Sequence, residues 1–407
     1  MRLPGYAPPA SSTALALVAA LGLAACSQDD PPSPRATTAA EGTENVQPGS
    51  PYAGELPLDR LNVPAGYAVD VFAEGLENAR SLAYAGDGLV FVGTRNEGSV
   101  YAAQDTNGDL RADVTYVLAT DLNMPNGVAL KGGDLYVATV SEVLRWRDIR
   151  DRLDAPGEPE VVYADYPTEE HHGWKFISFG PDGQLYVPVG APCNICESEE
   201  IFASITRLDV DAASPQPELV AAGVRNSVGF TWHPDTRELW FTDNGRDMLG
   251  DDVPPCELNR LPAGVGAGTD APHFGYPYVH GGYIADPEFG EGVDTNAYRS
   301  PAQRLGPHVA PLGVEFVSSP TFADYAGEAF IAEHGSWNRT EPIGYRITRV
   351  PVDATAGEGR GYEVFIDGWL QDDGPWGRPV DLEWLPDGSL LVSDDFAGAI
   401  YRVYRVG

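Results

Sequence analysis

One pattern recurs six times along this 407-residue chain: an apolar strand, a turn rich in Gly, Asp or Pro, then a second apolar strand. The copies occupy 81–92, 127–137, 176–187, 229–241, 313–331 and 381–392, the fifth with a longer connection through Ala323-Asp324-Tyr325. Gly-Asp-Gly at 86–88 and Pro-Asp-Gly at 181–183 and 386–388 are turn chemistry, since Pro and Asp favour the start of a turn and Gly tolerates positive φ. A third strand of alternating character follows most copies, at 98–102, 143–147, 204–208, 345–349 and 399–403. A unit of three or four antiparallel strands cannot bury both faces alone, so its repetition implies blades packed around a central axis. The predicted fold is therefore all-β, a six-bladed β-propeller. Tyr67–Phe72, ahead of the first copy, is expected to join the last blade as its outer strand and close the ring. A β-sandwich or two stacked β-domains is the alternative, disfavoured by the regular repetition and the lack of helical periodicity.

The N-terminus stands outside this pattern. Residues 1–25 carry one basic residue, Arg2, then an apolar stretch from Ala14 to Ala25 that is too short for a comfortable membrane span and reads as an export signal. It ends in Leu23-Ala24-Ala25-Cys26, which resembles the lipobox of bacterial lipoproteins, making Cys26 the expected lipidation site; an ordinary signal peptide with an incidental Cys is the alternative. Residues 26–57, rich in Ser, Pro, Thr, Gly and acids, read as a flexible tether, leaving 58–407 for the propeller. The expected location is extracytoplasmic, on a bacterial membrane.

A formal net charge of −34 argues against a nucleic-acid partner, whose phosphates would be repelled. Cys193 and Cys196 form a C-x-x-C without further ligands nearby for zinc, and it follows a strand rather than opening a helix as a thioredoxin-like motif would. In an exported protein a small structural disulfide is the better reading, and Cys256 is left without an obvious partner.

Polar loops at the strand ends of a propeller converge although they lie far apart in sequence. Six stand out: Glu170–Lys175, Val224–Asn226, Thr242–Asp247, Gly306–Pro311, Glu333–Arg339 and Gly377–Asp381. Together they supply guanidiniums, imidazoles (His308 and His334 among them) and a carboxylate-rich turn. That set suits a planar anionic ligand with a cation better than a protein partner.

The stretches His171-His-Gly-Trp-Lys-Phe176, Pro188–Cys193, Gly223-Val-Arg-Asn226, Trp240–Asp247 and Ala332–Arg339 resemble the glucose/sorbosone dehydrogenase family, which uses pyrroloquinoline quinone, with the likeness nearer to its sorbosone and pyranose dehydrogenase branch. The resemblance runs from about Leu61 to Val406 in motif order. It implies that His171 takes a proton from a sugar hydroxyl while hydride passes to the quinone, although His172 is adjacent and sequence alone lets the two exchange roles. It implies that Arg225 and Asn226 touch the reactive quinone carbonyl, and that Arg378 binds a cofactor carboxylate. Asn244-Gly245-Arg246 matches the backbone segment that holds calcium against the quinone, and the nearby acids Asp247, Asp251 and Asp252 would complete its shell, with a solvated acidic loop as the alternative.

The chain also departs from the soluble glucose dehydrogenase pattern. A cofactor-binding Lys has no counterpart after Ile331, where His334 or Arg339 is the expected substitute, and Val380 stands where a second Arg would lie. Arg80 is the candidate for an arginine that the sorbosone and pyranose branch uses in its first blade. Independently, Asp105, Asn107, Asp109 and Asp113 place oxygens at positions one, three, five and nine of a loop, a candidate structural calcium site. The long connection 262–305, with Tyr276, Tyr278, His280 and Tyr283, is the candidate substrate mouth. Electrons would leave to a membrane quinone or cytochrome. The rival readings are a calcium-dependent lactonase and a non-catalytic sugar-binding propeller.

Overall fold

The repeated strand pairs become the inner two strands of six antiparallel sheets, each continued outward by two more strands. The structure, a computed structural model, describes residues 56–265 and 271–407; the expected leader at 1–25, Cys26 and nearly all of the expected tether at 26–57 lie outside the described residues. Blade 1 holds Ala79–Gly86, Leu89–Thr94, Val100–Gln104 and Val114–Ala119; blade 2 holds Gly127–Lys131, Asp134–Ala138, Val143–Trp146 and Glu160–Tyr163. Blade 3 holds Ser178–Phe179, Leu185–Val189, Ser204–Leu208 and Glu218–Ala222. Blade 4 holds Phe230–Trp232, Leu239–Asp243, Pro255–Leu261 and Gln303–Pro307. Blade 5 holds Pro311–Phe316, Glu328–Glu333, Arg346–Asp353 and Glu363–Ile366, with a short extra strand at Glu358–Gly359.

Blade 6 takes three strands from the C-terminal region, Pro379–Trp384, Leu390–Asp394 and Ala399–Arg405, and its outer strand from Tyr67–Glu74. Tyr67 pairs with Arg405 and Glu74 with Ala399, so the ring closes as the sequence predicted.

The core is divided as a propeller requires. Six apolar clusters each lie between two neighbouring blades, such as Phe91, Leu135 and Trp146 between blades 1 and 2, or Trp240, Leu258 and Phe316 between blades 4 and 5. Each large side chain so buried contributes about 1.5–3 kcal/mol. Near the axis the blades come too close for side chains at some positions: a Cβ at Gly93 would collide with the Asn126 carbonyl, and one at Gly229 with the Leu312 carbonyl. Hydrogen bonds cross the same seams, including Leu82 N–H to Asp381 Oδ2 at 2.9 Å and Thr242 Oγ1–H to the Leu312 carbonyl at 2.7 Å.

Two sets of loops open on one face of this ring: those leading into an innermost strand, and those following the second strand. Buried carboxylates at the ends of second strands fix them. Asp243 accepts the backbone N–H groups of Arg225 and Asn226 at 2.9 and 2.7 Å. In blade 6, Asp394 accepts the N–H of Arg378 at 2.9 Å, the same device used again.

The candidate calcium loop at 105–113 is corrected by its own bonding. Asp105 accepts N–H groups from Asn107, Gly108 and Leu110, and Asp113 accepts from Thr106 and the Asn107 amide. Asn107 and Asp109 accept from the backbone two residues on. The side-chain oxygens that would ligate a cation fold the turn instead, and no group of three or more His, Cys, Asp or Glu placed to hold a metal occurs among the described residues.

Candidate active site

The converging loops line an axial cavity. Its wall includes Arg80, Arg95, Arg225 and Arg378; His172, His308 and His334; Asn226, Asn244 and Asn338; Trp174 and Trp337; and one acid, Asp247. A larger hollow of about 850 Å³ near Asp70, Glu74 and Arg111 lies away from these loops.

On the blade 6 side, Arg80 is 2 % exposed and donates from Nε to Asn126 Oδ1 at 2.8 Å and from Nη1 to Asp395 Oδ2 at 2.7 Å. The other Asp395 oxygen meets His334 Nε2 at 2.7 Å. Burial disfavours the Asp395 carboxylate, but His334 and Arg80 hold its carboxyl well below the usual range. His334 is pushed down to about 4 by burial and by Arg378, which outweigh Asp395, so it is neutral at pH 7. Arg378 donates to the carbonyls of His334 and Gly335 at 3.0 and 3.1 Å.

On the opposite side, Arg225 donates from Nη1 to the carbonyls of Asn244 and Gly245 at 3.2 and 2.9 Å. Its Nε and Nη2 reach the backbone carbonyl and side-chain oxygen of Asn194, both at 2.9 Å, and Nη2 also lies 3.2 Å from Asp247 Oδ2. Asn338 donates to Asp247 Oδ1 at 2.9 Å. Burial works against the Asp247 charge, yet His308 and Arg225 hold its carboxyl below the usual range. Burial likewise opposes a proton on His308, but Asp247 and the Gly250 carbonyl hold its pKa above the ordinary value.

The two adjacent histidines are separated by geometry. His172 has φ 53°, is 2 % exposed and lines the cavity, with Nδ1 2.9 Å from the Ala191 carbonyl. A carbonyl only accepts, so Nδ1 carries the hydrogen and Nε2 holds the lone pair. Burial, then the Arg225 charge, push its pKa well below 6.5. His171 lies beside it, its ring centroid 4.1 Å away and its plane tilted by 55°, but is not part of the cavity wall. The sequence expectation favours His171; in the structure His172 is the one of the pair in the cavity wall, while the buried His171 Nε2 has no hydrogen-bond partner and feels the Arg225 and Asp247 charges.

A profile of the TrAA12-like family matches residues 61–287 and 287–406. The chain belongs to the TrAA12-like family. A curated relative from Borreliella burgdorferi, described as an uncharacterized protein, is 34 % identical over 367 residues, covering 86 % of this chain and 93 % of its own. A pyrroloquinoline quinone-dependent pyranose dehydrogenase from Coprinopsis cinerea is 23 % identical across 88 % of this chain, which spans 56 % of that protein's length. Among solved structures, the holo pyrroloquinoline quinone domain of the Coprinopsis cinerea pyranose dehydrogenase superposes with a TM-score of 0.71 at 20 % identity, covering 85 % of this chain and 97 % of that one. The calcium structure of the Trichoderma reesei family AA12 enzyme superposes with a TM-score of 0.72 at 23 % identity, covering 89 % of this chain and 100 % of that one.

Of the candidate site residues, the cavity wall brings together Arg80, Arg225, Asn226, His308, His334 and Arg378, but not every one expected. Arg339 turns outward, donating to the carbonyls of Asp251 and Glu341, and so braces the Asp251–Asp252 loop. Arg246 points away, 2.5 Å from Asp286, which also holds His280 at 2.8 Å. Tyr276 and Tyr278 stand behind the Cys193–Cys196 loop, with Tyr278 bonded to Glu197, and Tyr283 is exposed, so none of the candidate mouth residues forms the cavity wall. The Cys193–Cys196 disulfide is formed, and Cys256 is a buried thiol.

Sequence reasoning missed Arg95, Asn194 and Asp395. A positional signal was present: the residue following the second strand is Arg95 in blade 1, Asn244 in blade 4, His334 in blade 5 and Asp395 in blade 6.

The cavity suits an anionic quinone, because its cationic wall is joined by buried polar atoms without hydrogen-bond partners, Trp174 Nε1 and Asn338 Oδ1. The calcium segment does not fit as arranged. The Asn244 and Gly245 carbonyls accept from a guanidinium, and the Asp247 oxygens are engaged by Arg225 and Asn338.

Proposed function

We propose that this protein is a pyrroloquinoline quinone-dependent dehydrogenase that oxidises a sugar or sugar aldehyde, with His172 as the base. The observation that carries the reading is the charge of the axial cavity, four guanidiniums against Asp247 in the wall and Asp395 behind Arg80. That balance favours a flat ligand bearing several carboxylates. A lactonase-type site would need several acids on the axis, and Asp247 is the one carboxylate in this wall. The similarity to a pyrroloquinoline quinone-dependent pyranose dehydrogenase supports the same chemistry.

In this reading Arg80 and Arg378 hold carboxylates of the cofactor, and Arg225 with Asn226 faces its reducible carbonyl. When bound, the quinone supplies the hydride acceptor. All five Arg225 N–H groups are held by Asn194, Asn244, Gly245 and Asp247, so the guanidinium acts as a fixed nearby positive charge, favouring the negative charge of the reduced cofactor without a direct hydrogen bond to it. His172, neutral at pH 7, takes the hydroxyl proton of the substrate on Nε2 while the Ala191 carbonyl keeps the ring oriented. Trp337, half-exposed at the cavity wall, offers an apolar face to a sugar ring. No step runs through calcium.

Attachment through a lipid on Cys26, an extracytoplasmic location and electron delivery to a membrane quinone or cytochrome belong to the same proposal, supported by the Leu23-Ala24-Ala25-Cys26 motif. A Cys26→Ala variant is expected to move the protein from the detergent fraction to the soluble one.

The test of the activity begins with cofactor-free protein. Pyrroloquinoline quinone is added while tryptophan fluorescence is followed, and dye reduction is then measured with aldoses, keto-sugars and sorbosone, with calcium or with a chelator. Micromolar binding and cofactor-dependent dye reduction are expected, and reduction persists in chelator. No binding at micromolar cofactor overturns the proposal.

A further inference from the structure

We infer that Asn194, presented on the loop closed by the Cys193–Cys196 disulfide, is a positioning residue that aims Arg225 and Asp247 at the reacting end of the axial cavity. What the cavity binds rests on the proposed function; the geometry of the three residues does not.

One side chain ties two blades together here. Asn194 Oδ1 accepts from Arg225 Nη2 at 2.9 Å and from the backbone N–H of Asp247 at 2.8 Å. Its Nδ2 donates to the Asp247 carbonyl at 3.3 Å, and its own carbonyl takes Arg225 Nε at 2.9 Å. Asn194 belongs to the loop after the second strand of blade 3, whereas Arg225 and Asp247 flank the first two strands of blade 4. Asn194 therefore sets both the direction of the guanidinium and the path of the 244–247 turn that accepts its other protons.

The disulfide gives that residue its fixed bearing. Cys193 and Cys196 are three residues apart, with Cα atoms 6.2 Å apart, so the ring encloses Asn194 and Ile195 alone. Closing so short a loop restricts the unfolded chain far less than closing a long one, and its main effect is local. From behind, the Tyr276 hydroxyl lies 3.4 Å from Cys193 Sγ and accepts the Cys196 N–H at 3.1 Å. The loop is held between this phenol on one side and Arg225 on the other. Both cysteines are partly exposed and open to reagents. A dithiol reductant gives two electrons and two protons to the bond, leaving thiols on Cys193 and Cys196 while the reagent closes to its own cyclic disulfide.

The deciding experiment uses the full chain without cofactor. Hydrogen exchange by mass spectrometry is compared for wild type, Asn194→Ala, Cys193→Ser/Cys196→Ser and dithiol-reduced wild type. In Asn194→Ala the Asp247 amide loses its acceptor, and peptides over 244–248 are expected to exchange at least about ten-fold faster, with blade 1 peptides unchanged. The double-serine variant and the reduced protein shift the same peptides the same way, and reoxidation restores them. Asn194→Asp keeps an acceptor for the Asp247 N–H and Arg225 but loses the donor to the Asp247 carbonyl, so it restores protection in part.

With cofactor added, Asn194→Ala binds about ten- to hundred-fold more weakly, as expected for loss of a hydrogen bond to a charged group. The acid limb of its dye-reduction profile moves to higher pH, because a loosened Arg225 depresses the nearby His172 less. Unchanged exchange at 244–248 in every sample overturns the inference whether or not the cofactor binds. Faster exchange with unaltered affinity and pH profile also overturns it, by reducing Asn194 to a structural role. A wild type that binds no cofactor sinks the proposed function alone, and the exchange data still decide this point. Should Asn194→Ala not fold, reduction and reoxidation of the wild type give the same readout.

Discussion

His171 and His172 are neighbours in one motif, and in the proposed reaction a single hydrogen bond distinguishes them. The Ala191 carbonyl takes the Nδ1 hydrogen of His172, which leaves Nε2 as the basic atom of a ring in the cavity wall. Replacing His172 by Ala is expected to lower kcat by about 10²–10⁴-fold, the range for a lost general base, while His171→Ala keeps most of the activity. Steady-state dye reduction with both variants checks this. Because burial and Arg225 depress the His172 pKa, the neutral base persists below pH 6.5 and activity is lost only as pH falls through that lowered value. The acid limb of kcat/KM is therefore expected below pH 6.5. The sequence could name the motif but not the positive φ that turns one imidazole inward. Arg225, Asn226 and Arg378 were legible because each sits beside a strand start. Arg246 and Arg339 were not, since an arginine in an acidic chain finds carboxylates elsewhere: Asp286 for Arg246 and the Asp252 loop for Arg339.

At the level of strands, the first two of every blade were legible because their apolar runs and turn residues are local features. The outer strands were harder. Val114–Ala119 and Glu160–Tyr163 are mostly half-exposed or exposed and carry weak alternation. Pro255–Leu261 was hidden for another reason: it buries polar residues. Asn259 donates to Glu257 at 2.9 Å, and Glu257 accepts the Gly281 N–H at 2.7 Å, so polar side chains are satisfied inside the sheet. The seams between blades give the clearest prediction at this scale. A Cβ at Gly229 meets the Leu312 backbone, which cannot yield as a flexible side chain would. Gly229→Ala is expected to cost about 1–3 kcal/mol of stability, measured by denaturant unfolding.

Across the whole molecule, acids on the innermost strands set a pH dependence. Asp381 is pushed up to about 7 and Glu383 to about 8, each by burial first, and Glu315 is raised well above its ordinary value by burial and by these two neighbours. Carboxyls whose folded pKa is raised keep protons that the unfolded chain has released, so their contribution is complete below about pH 4 and fades as pH climbs toward 8. Thermal midpoints are expected to fall between pH 5 and pH 8. Self-repulsion from a net charge of −34 acts in the same direction, so the discriminating measurement is the double variant Asp381→Asn/Glu383→Gln, whose midpoint varies less over that range.

Asp395 has one more consequence. It stands in the last blade, yet one oxygen grips Arg80 from the first and the other His334 from the fifth. This corner of the cavity is built across the seam where the first and last blades meet, so its native form is complete when the ring is closed. An anion that binds there recognises completion itself, and by mass action it holds the circle shut like a clasp.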